Sequence, residues 1–200
     1  MTITSPADAF HRANSLTYVS LLAGIMAIAA SGADRSGIAG ALIALAVVAD
    51  TFDGRFARRF VRSPAEREIG AHLDSLSDAI AFGIAPCICL ARLAAGDAGP
   101  LGVVGWWMAT FAFAACAITR LAFYNVSQDT IPGFIGIPVP VAALVTSSVL
   151  LAGPSSVTAA IVMVVAGAAM VMPVPIPRPT GYGLALFVLW PLTLVALHLA

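Results

Sequence analysis

The chain has 200 residues, of which 60% are hydrophobic and only 10% are charged, and its mean hydropathy is +0.97. Soluble domains are about half apolar and about a quarter charged, so this composition excludes an ordinary soluble domain. The formal net charge is zero, which argues against nucleic acid as a partner.

Apolar segments long enough to cross a bilayer as helices follow one another along the chain. Residues 1–13 are polar with scattered apolar positions, and they predict a segment at the membrane interface. Glycine and proline separate the later segments, and the predicted spans are 15–31, 37–60, 69–94, 101–124, 137–152, 156–172 and 181–199. The sequence therefore predicts an all-α integral membrane protein, a bundle of about six to eight transmembrane helices that forms one membrane domain over residues 1–200.

The basic residues are distributed unevenly between the two ends of these spans, and all ten are arginine. With the N-terminus in the cytoplasm, the cytoplasmic ends collect Arg12, the cluster at residues 55–67, Arg120 and Arg178, whereas the opposite side keeps Arg35 and Arg92. Cytoplasmic loops of membrane proteins carry an excess of positive charge. We therefore expect a multi-pass protein of the cell membrane, the cytoplasmic membrane, whose polar features face the cytoplasm.

Four aspartates lie at the ends of two apolar segments. Asp50 and Asp53 close one segment with i,i+3 spacing, and Asp74 and Asp78 open another with i,i+4 spacing. Each pair therefore projects from one face of a helix. Ionisable side chains near the bilayer are costly, so carboxylates in such positions indicate a functional site.

Four clustered carboxylates repel one another unless a cation lies among them. Ligand sets made only of oxygen suit hard ions such as Mg²⁺, Mn²⁺ or Ca²⁺, and two metal ions bridged by carboxylates can clamp a diphosphate. The small residues Gly54, Ala57 and Gly70 would let a helix or a ligand approach closely, and Arg58 would neutralise phosphate charge. The alternative is that nearby arginines form salt bridges with these acids, although that leaves the spacing and the small residues unexplained.

These residues stand in one ordered pattern: Asp50-x-x-Asp53-Gly54-x-x-Ala57-Arg58, then eleven residues, then Gly70-x-x-x-Asp74-x-x-x-Asp78. The pattern resembles the signature of the CDP-alcohol phosphotransferase family, integral membrane enzymes of phospholipid synthesis, although the spacer after Arg58 is longer here than in the family. The resemblance implies two divalent metal ions, Mg²⁺ or Mn²⁺, held by Asp50, Asp53, Asp74 and Asp78. It also implies that Asp78 is the catalytic base.

By the same resemblance, the CDP-lipid would be bound by Asn14, Thr17, Asp50, Gly54, Ala57, Arg58 and Gly70. Asn14 and Thr17 resemble a Pro-Asn-x-x-Thr element of the family, with Ala13 in place of the proline. Residues 14–141 would form the catalytic core, and residues 142–200 would add only further transmembrane helices. The protein would be a homodimer in contact with membrane lipid.

Two further segments resemble the phosphatidylserine synthases within this family. Residues 134–140 (Phe-Ile-Gly-Ile-Pro-Val-Pro) resemble their Phe-x-Gly-x-Pro-x-Pro element, and residues 120–125 (Arg-Leu-Ala-Phe-Tyr-Asn) resemble their Arg-Leu-Ala-Arg-Phe-Asn element, with Phe123 in place of the second arginine. This resemblance implies CDP-diacylglycerol, or an ether-lipid counterpart, as the donor and L-serine as the acceptor. The predicted acceptor-binding residues are Arg120, Asn125 and Arg178.

Two alternatives stay open at this point. The acceptor could instead be glycerol 3-phosphate, inositol phosphate or choline, although a phosphorylated acceptor would call for a denser set of arginines. The aspartates could also line the ion path of a small cation or proton transporter. Activity that depends strictly on a CDP-lipid would separate the transferase from the transporter.

Overall fold

The computed structural model describes residues 5–94, 100–127, 130, 133–177 and 182–200. Two short 3-10 turns, Pro6–Ala9 and Arg12–Asn14, lead into the first α-helix. The α-helices of the described residues are α1 (Ser15–Gly32), α2 (Ser36–Ala57), α3 (Pro64–Asp78), α4 (Ala85–Ala94), α5 (Pro100–Ser127), α6 (Val139–Ala152), α7 (Ser156–Val171) and α8 (Tyr182–Leu199). Helix α2 is central, because α1, α4, α6 and α8 all pack against it.

The apolar helices of this bundle account for each of the predicted spans. Four helical stretches are long and apolar enough to cross a membrane: Arg12–Gly32, Ser36–Ala57, Pro64–Arg92 and Gly102–Ser127. Shorter apolar helices follow at Val139–Ala152, Ser156–Val171 and Ala185–Leu199. Large apolar side chains such as Leu22, Phe111 and Leu186 point outwards, which suits contact with lipid. The prediction of an all-α integral membrane bundle is confirmed, and the chain is a multi-pass membrane protein.

Helix α3 begins at Pro64, whereas the apolar pattern predicts a span from residue 69. Ser63 caps the helix: its hydroxyl accepts a hydrogen bond from the amide of Glu66, and the Glu66 carboxylate accepts one from the Ser63 amide at 2.7 Å. This reciprocal capping box, with proline at the first helical position, is a strong start signal. Asp74 and Asp78 therefore lie in the later turns of a well-anchored helix rather than at a fraying end.

Helices α3 and α4 form one continuous rod that is joined by a π-helical segment, Ala79–Ile84. Asp78 is the last residue before this wider turn. Short π-helical segments are rare, and they occur frequently at functional sites. Gly24 of α1 faces the segment so closely that a β-carbon on Gly24 would lie 2.7 Å from the α-carbon of Ala81. The close approach of two backbones thus positions the helix that carries Asp78.

A pair of two-residue strands joins the segment before α6 to the segment after α7. Strand β1 (Phe134–Ile135) pairs antiparallel with β2 (Pro175–Ile176), and residues 133–137 together with 173–177 are termed the β-clip below. The amide of Gly136 donates to the carbonyl of Val174 at 2.9 Å. Gly136 has φ +69°, and a β-carbon there would collide with the carbonyl oxygen of Met170. The β-clip therefore requires glycine at this position.

The loop between α1 and α2 meets the end of α4 at one end of the bundle. Arg92 donates to the last carbonyl of α1 at 3.1 Å and pairs with Asp34 at 3.5 Å, and Arg35 lies in the same loop. At the start of α1, Thr17 donates to Asp53 at 3.2 Å. Helix α1 runs from the aspartates to this loop and is about 27 Å long, because its 18 residues rise about 1.5 Å each. Arg35 and Arg92, which were predicted for the opposite side, therefore lie at the other end of the bundle from the aspartates.

We expect Gly24→Ala to lower the free energy of unfolding by about 1–3 kcal/mol, because the added methyl group must push α1 away from the π-helical segment. Thermal unfolding of the purified protein in detergent measures the change. Gly105→Ala is the matched control: Gly105 lies within α5, and a β-carbon there meets nothing within 4 Å. Equal stability of the two variants would contradict the close approach.

Candidate active site

Three carboxylates from two helices meet at the end of the bundle where α1 begins. Asp50 comes from α2, and Asp74 and Asp78 come from α3. One oxygen of each lies within 4.8 Å of the others; Asp78 is buried and the other two are half-buried. Asp53, one turn further along α2, is near enough to interact with Asp50, Asp74 and Asp78. The structure thus gathers the four aspartates that the sequence pattern singles out.

The donor set of this cluster fits the divalent ions that the sequence pattern implies. Among the described residues, Asp74 Oδ1 is a buried oxygen without a hydrogen-bond partner. Four carboxylates offer only oxygen ligands, which hard cations prefer. The alternative of arginine salt bridges finds no support, because the one salt bridge within the described part of the chain joins Arg92 to Asp34 at the far end. Asp50, Asp53, Asp74 and Asp78 are therefore the residues that could hold metal.

A cavity of about 280 Å³, termed the polar cavity, opens on one side of the carboxylates. It is lined by Ala13, Asn14, Thr17, Asp53, Gly54, Ala57, Arg58, Arg62, Arg67, Gly70, Ala71 and Asp74. A β-carbon on Gly70 would lie only 3.1 Å from Asn14 Oδ1, so glycine keeps this wall open. The predicted CDP-lipid residues all lie here except Asp50, which faces the neighbouring cavity.

Two arginines of the polar cavity are missed by the sequence interpretation. Arg62 lies in the loop between α2 and α3, and its guanidinium approaches Gly70. Arg67 lies four residues after the Ser63 cap of α3. The signal for both was their place in the arginine cluster at residues 55–67, of which only Arg58 was predicted to meet the phosphates. With Arg58 they give the cavity three guanidinium groups.

A second cavity, of about 430 Å³, lies on the other side of the carboxylates and is termed the arginine cavity. Its polar lining consists of Asp50, Thr51, Asp74, Ser75, Asp78, Arg120, Tyr124 and Asn125. Asp74 borders both cavities, whereas Asp78 borders this one and Asp53 borders only the polar cavity. A ligand in either cavity would therefore meet the same carboxylate cluster from its own side.

Arg120 is a buried cation in the wall of the arginine cavity. Only 6% of the residue is exposed, and its Nη2 has no hydrogen-bond partner among the described residues. Its guanidinium carbon lies 5.3 Å from the centre of the Tyr124 ring and 5.5 Å from that of Phe134. These distances are in the range of cation–π interactions. A desolvated guanidinium with an unused donor is suited to bind an anion.

Asn125 joins α5 to α3 beside the carboxylates. Its Nδ2 donates to Ser75 Oγ at 2.8 Å, and the Ser75 hydroxyl lies 3.0 Å from Asn125 Oδ1. Both side chains line the arginine cavity. Arg178, the third predicted acceptor-binding residue, lies outside the described residues.

The last third of the chain contributes more to this site than the expected hydrophobic helices. Ile176 and Pro177 from the β-clip and Phe187 from α8 line the arginine cavity, and Phe134 does so from the other strand. No local pattern marks Ile176, Pro177 or Phe187 as part of a site. Phe134 belongs to the element at residues 134–140, but its place beside Ile176 depends on the pairing of two strands that are distant in sequence.

Comparison with known proteins agrees with this geometry. The family model for CDP-alcohol phosphatidyltransferases matches residues 10–174. The chain is 36% identical over 138 residues to the CDP-diacylglycerol–serine O-phosphatidyltransferase of Mycobacterium tuberculosis, which covers 66% of this chain and 46% of that protein. It is 34% identical over 149 residues to the archaetidylserine synthase of Methanothermobacter thermautotrophicus, with coverage of 71% and 59%.

A further relative is the CDP-diacylglycerol–serine O-phosphatidyltransferase of Helicobacter pylori, 33% identical over 141 residues, with coverage of 69% and 56%. The chain thus spans about half the length of the curated relatives that it matches. The family match covers most of the chain. It includes all four aspartates, the arginines of the polar cavity and strand β1. This chain belongs to the CDP-alcohol phosphatidyltransferase family.

Proposed function

We propose that this chain transfers the phosphatidyl group of a CDP-activated lipid to the hydroxyl of L-serine and releases CMP. The observation that carries the proposal is a buried, incompletely paired arginine that shares one cavity with three carboxylates. The donor is CDP-diacylglycerol or its ether-lipid counterpart. The names of the relatives support serine as the acceptor, since they include serine O-phosphatidyltransferases and an archaetidylserine synthase.

The polar cavity would receive the CDP end of the lipid. Arg58, Arg62 and Arg67 offset the charge of its phosphates, and Asn14 and Thr17 offer polar groups at the start of α1. Asp50, Asp53, Asp74 and Asp78 would hold two divalent ions, Mg²⁺ or Mn²⁺. Such ions stabilise the negative charge on the attacking and leaving oxygens of a phosphoryl transfer.

Asp78 is the proposed base. It is buried, borders the arginine cavity and stands where an acceptor hydroxyl would meet the carboxylate cluster. Its carboxylate takes the proton of the serine hydroxyl, the serine oxygen forms a bond to the phosphorus that carries the lipid, and the bond from that phosphorus to CMP breaks.

Arg120 would bind the carboxylate of serine, and Asn125 would contribute its amide to the same wall. Among the described residues that line the arginine cavity, Arg120 is the single cation. A phosphorylated acceptor such as glycerol 3-phosphate or inositol phosphate carries more charge than one arginine balances. Serine is therefore preferred, with Arg178 as a second candidate for the carboxylate.

We also propose that the site faces the cytoplasm from the cell membrane and that the chain acts as a homodimer. The orientation is supported by the separation of charge along the bundle: Arg12 and the cluster at residues 55–67 lie at the aspartate end, and Arg35 and Arg92 lie at the other.

Purified protein in detergent should release CMP from CDP-diacylglycerol when L-serine and Mn²⁺ or Mg²⁺ are present, and a chelator should abolish the release. The panel also includes glycerol 3-phosphate, inositol phosphate and choline, and each acceptor is tested with ester and ether donors. Release with another acceptor but not with serine would contradict the acceptor assignment. No release from folded protein with any pair would contradict the transferase and favour cation transport.

Asp78→Asn should lower turnover about 10²- to 10⁴-fold, because the amide keeps the shape of the side chain but does not accept the proton. Binding of radiolabelled CDP-diacylglycerol should persist. Asp34→Asn is the control, since Asp34 lies at the far end of the bundle with its side chain 88% exposed. Near-normal turnover of Asp78→Asn would rule out Asp78 as the base.

Arg120→Ala should raise the KM for serine about 10- to 100-fold, the loss expected when a charge-assisted hydrogen bond is removed. The KM for the CDP-lipid should change little. Arg92→Ala removes an arginine at the opposite end of the bundle and serves as the control. An unchanged KM for serine in Arg120→Ala would refute the carboxylate assignment.

A further inference from the structure

We propose that Phe134, held by the β-clip, is a positioning residue that fixes the guanidinium of Arg120 for the carboxylate of the acceptor. Through that arginine, Phe134 makes the site selective for an amino-acid acceptor. The inference rests on the proposed function and assigns a role to a residue that contacts neither the carboxylate cluster nor the polar cavity.

Arg120 needs something to hold it in place. Its side chain is long and has many rotamers, and no carboxylate lies within salt-bridge distance of it among the described residues. Two aromatic rings do lie within reach, Tyr124 one turn along the same helix and Phe134 from a different segment. Of these two rings, that of Phe134 does not move with α5, so it holds the guanidinium relative to the cavity.

The backbone around Phe134 restricts its position tightly. Strand pairing places Phe134 opposite Ile176. Gly133 before it has φ +100°, and a β-carbon there would lie 2.8 Å from the carbonyl oxygen of Ile176. Gly136 after it makes the 2.9 Å hydrogen bond to Val174. Phe134 thus stands between two glycines that allow β1 to lie directly on β2.

The two rings and the arginine form one wall of the arginine cavity. The Tyr124 and Phe134 ring centres are 5.7 Å apart, and both residues line the cavity together with Arg120. Apolar rings on the guanidinium exclude water from it, which strengthens its attraction for a carboxylate. An aliphatic side chain of similar size would fill the space without attracting the cation, so the chemistry of the ring can be tested apart from its volume.

Phe134→Leu should raise the KM for serine about tenfold and leave kcat and the KM for the CDP-lipid unchanged, because binding of the carboxylate is the same in the ground state and the transition state. Phe134→Tyr restores the aromatic face and should restore the KM. Ile135→Val is the matched control on the neighbouring strand position. In an Arg120→Gln background, Phe134→Leu should cause no further rise, because no guanidinium remains to be positioned.

The outcomes separate the inference from the function on which it rests. Wild-type protein that releases no CMP with serine overturns the proposed acceptor before any variant is made. If the wild type is active, an unchanged serine KM in Phe134→Leu overturns the inference. A joint change of kcat and both KM values that Phe134→Tyr does not reverse also overturns it, since that result marks a purely structural role.

Discussion

Mutual repulsion of the four carboxylates at one end of an apolar bundle is the constraint on which the rest of the structure depends. Two like charges about 4 Å apart repel by about 4 kcal/mol at an effective dielectric constant of about 20. Three of these carboxylates have oxygens within 4.8 Å of one another, and in the described part of the chain no arginine forms an ion pair with them. Divalent cations bound among these carboxylates, as proposed above, would offset this repulsion where α2 and α3 meet.

The same constraint explains how the arginines are used. If Arg58, Arg62 and Arg67 neutralised the aspartates, they would be unable to meet phosphate groups in the polar cavity. They line that cavity instead, and Arg120 lines the other. In the proposed arrangement, metal ions would offset the charge of the carboxylates, and the guanidinium groups would meet the anionic parts of the ligands.

Much of the bundle and of the polar cavity was predictable because the signals are local. Apolar length identifies membrane helices, and i,i+3 and i,i+4 spacing places Asp50 with Asp53 and Asp74 with Asp78 on single faces. The roles of these residues remain predictions.

What could not be predicted depends on contacts between distant segments. The start of α3 had a local signal in the capping residues Ser63 and Glu66, but a span predicted from the apolar stretch alone begins too late to include it. The pairing of the β-clip strands had none, because two-residue strands carry no periodicity. Phe134 was marked by the element at residues 134–140, but its place in the cavity wall with Ile176 and Pro177 was missed.

Helices α6 and α7 have 14 and 16 residues and are therefore about 21 Å and about 24 Å long. The hydrocarbon core of a typical bilayer is about 30 Å thick. A hydrophobic helix shorter than this core is accommodated by thinning of the bilayer, by flanking side chains that extend to the interface, or by association, each at a modest cost for each ångström of mismatch. Pro140 and Val141, at the start of α6, line the arginine cavity. Thinning of the bilayer beside α6 would bring lipid headgroups closer to the site, and membrane thickness would then influence the depth at which a lipid presents its phosphates.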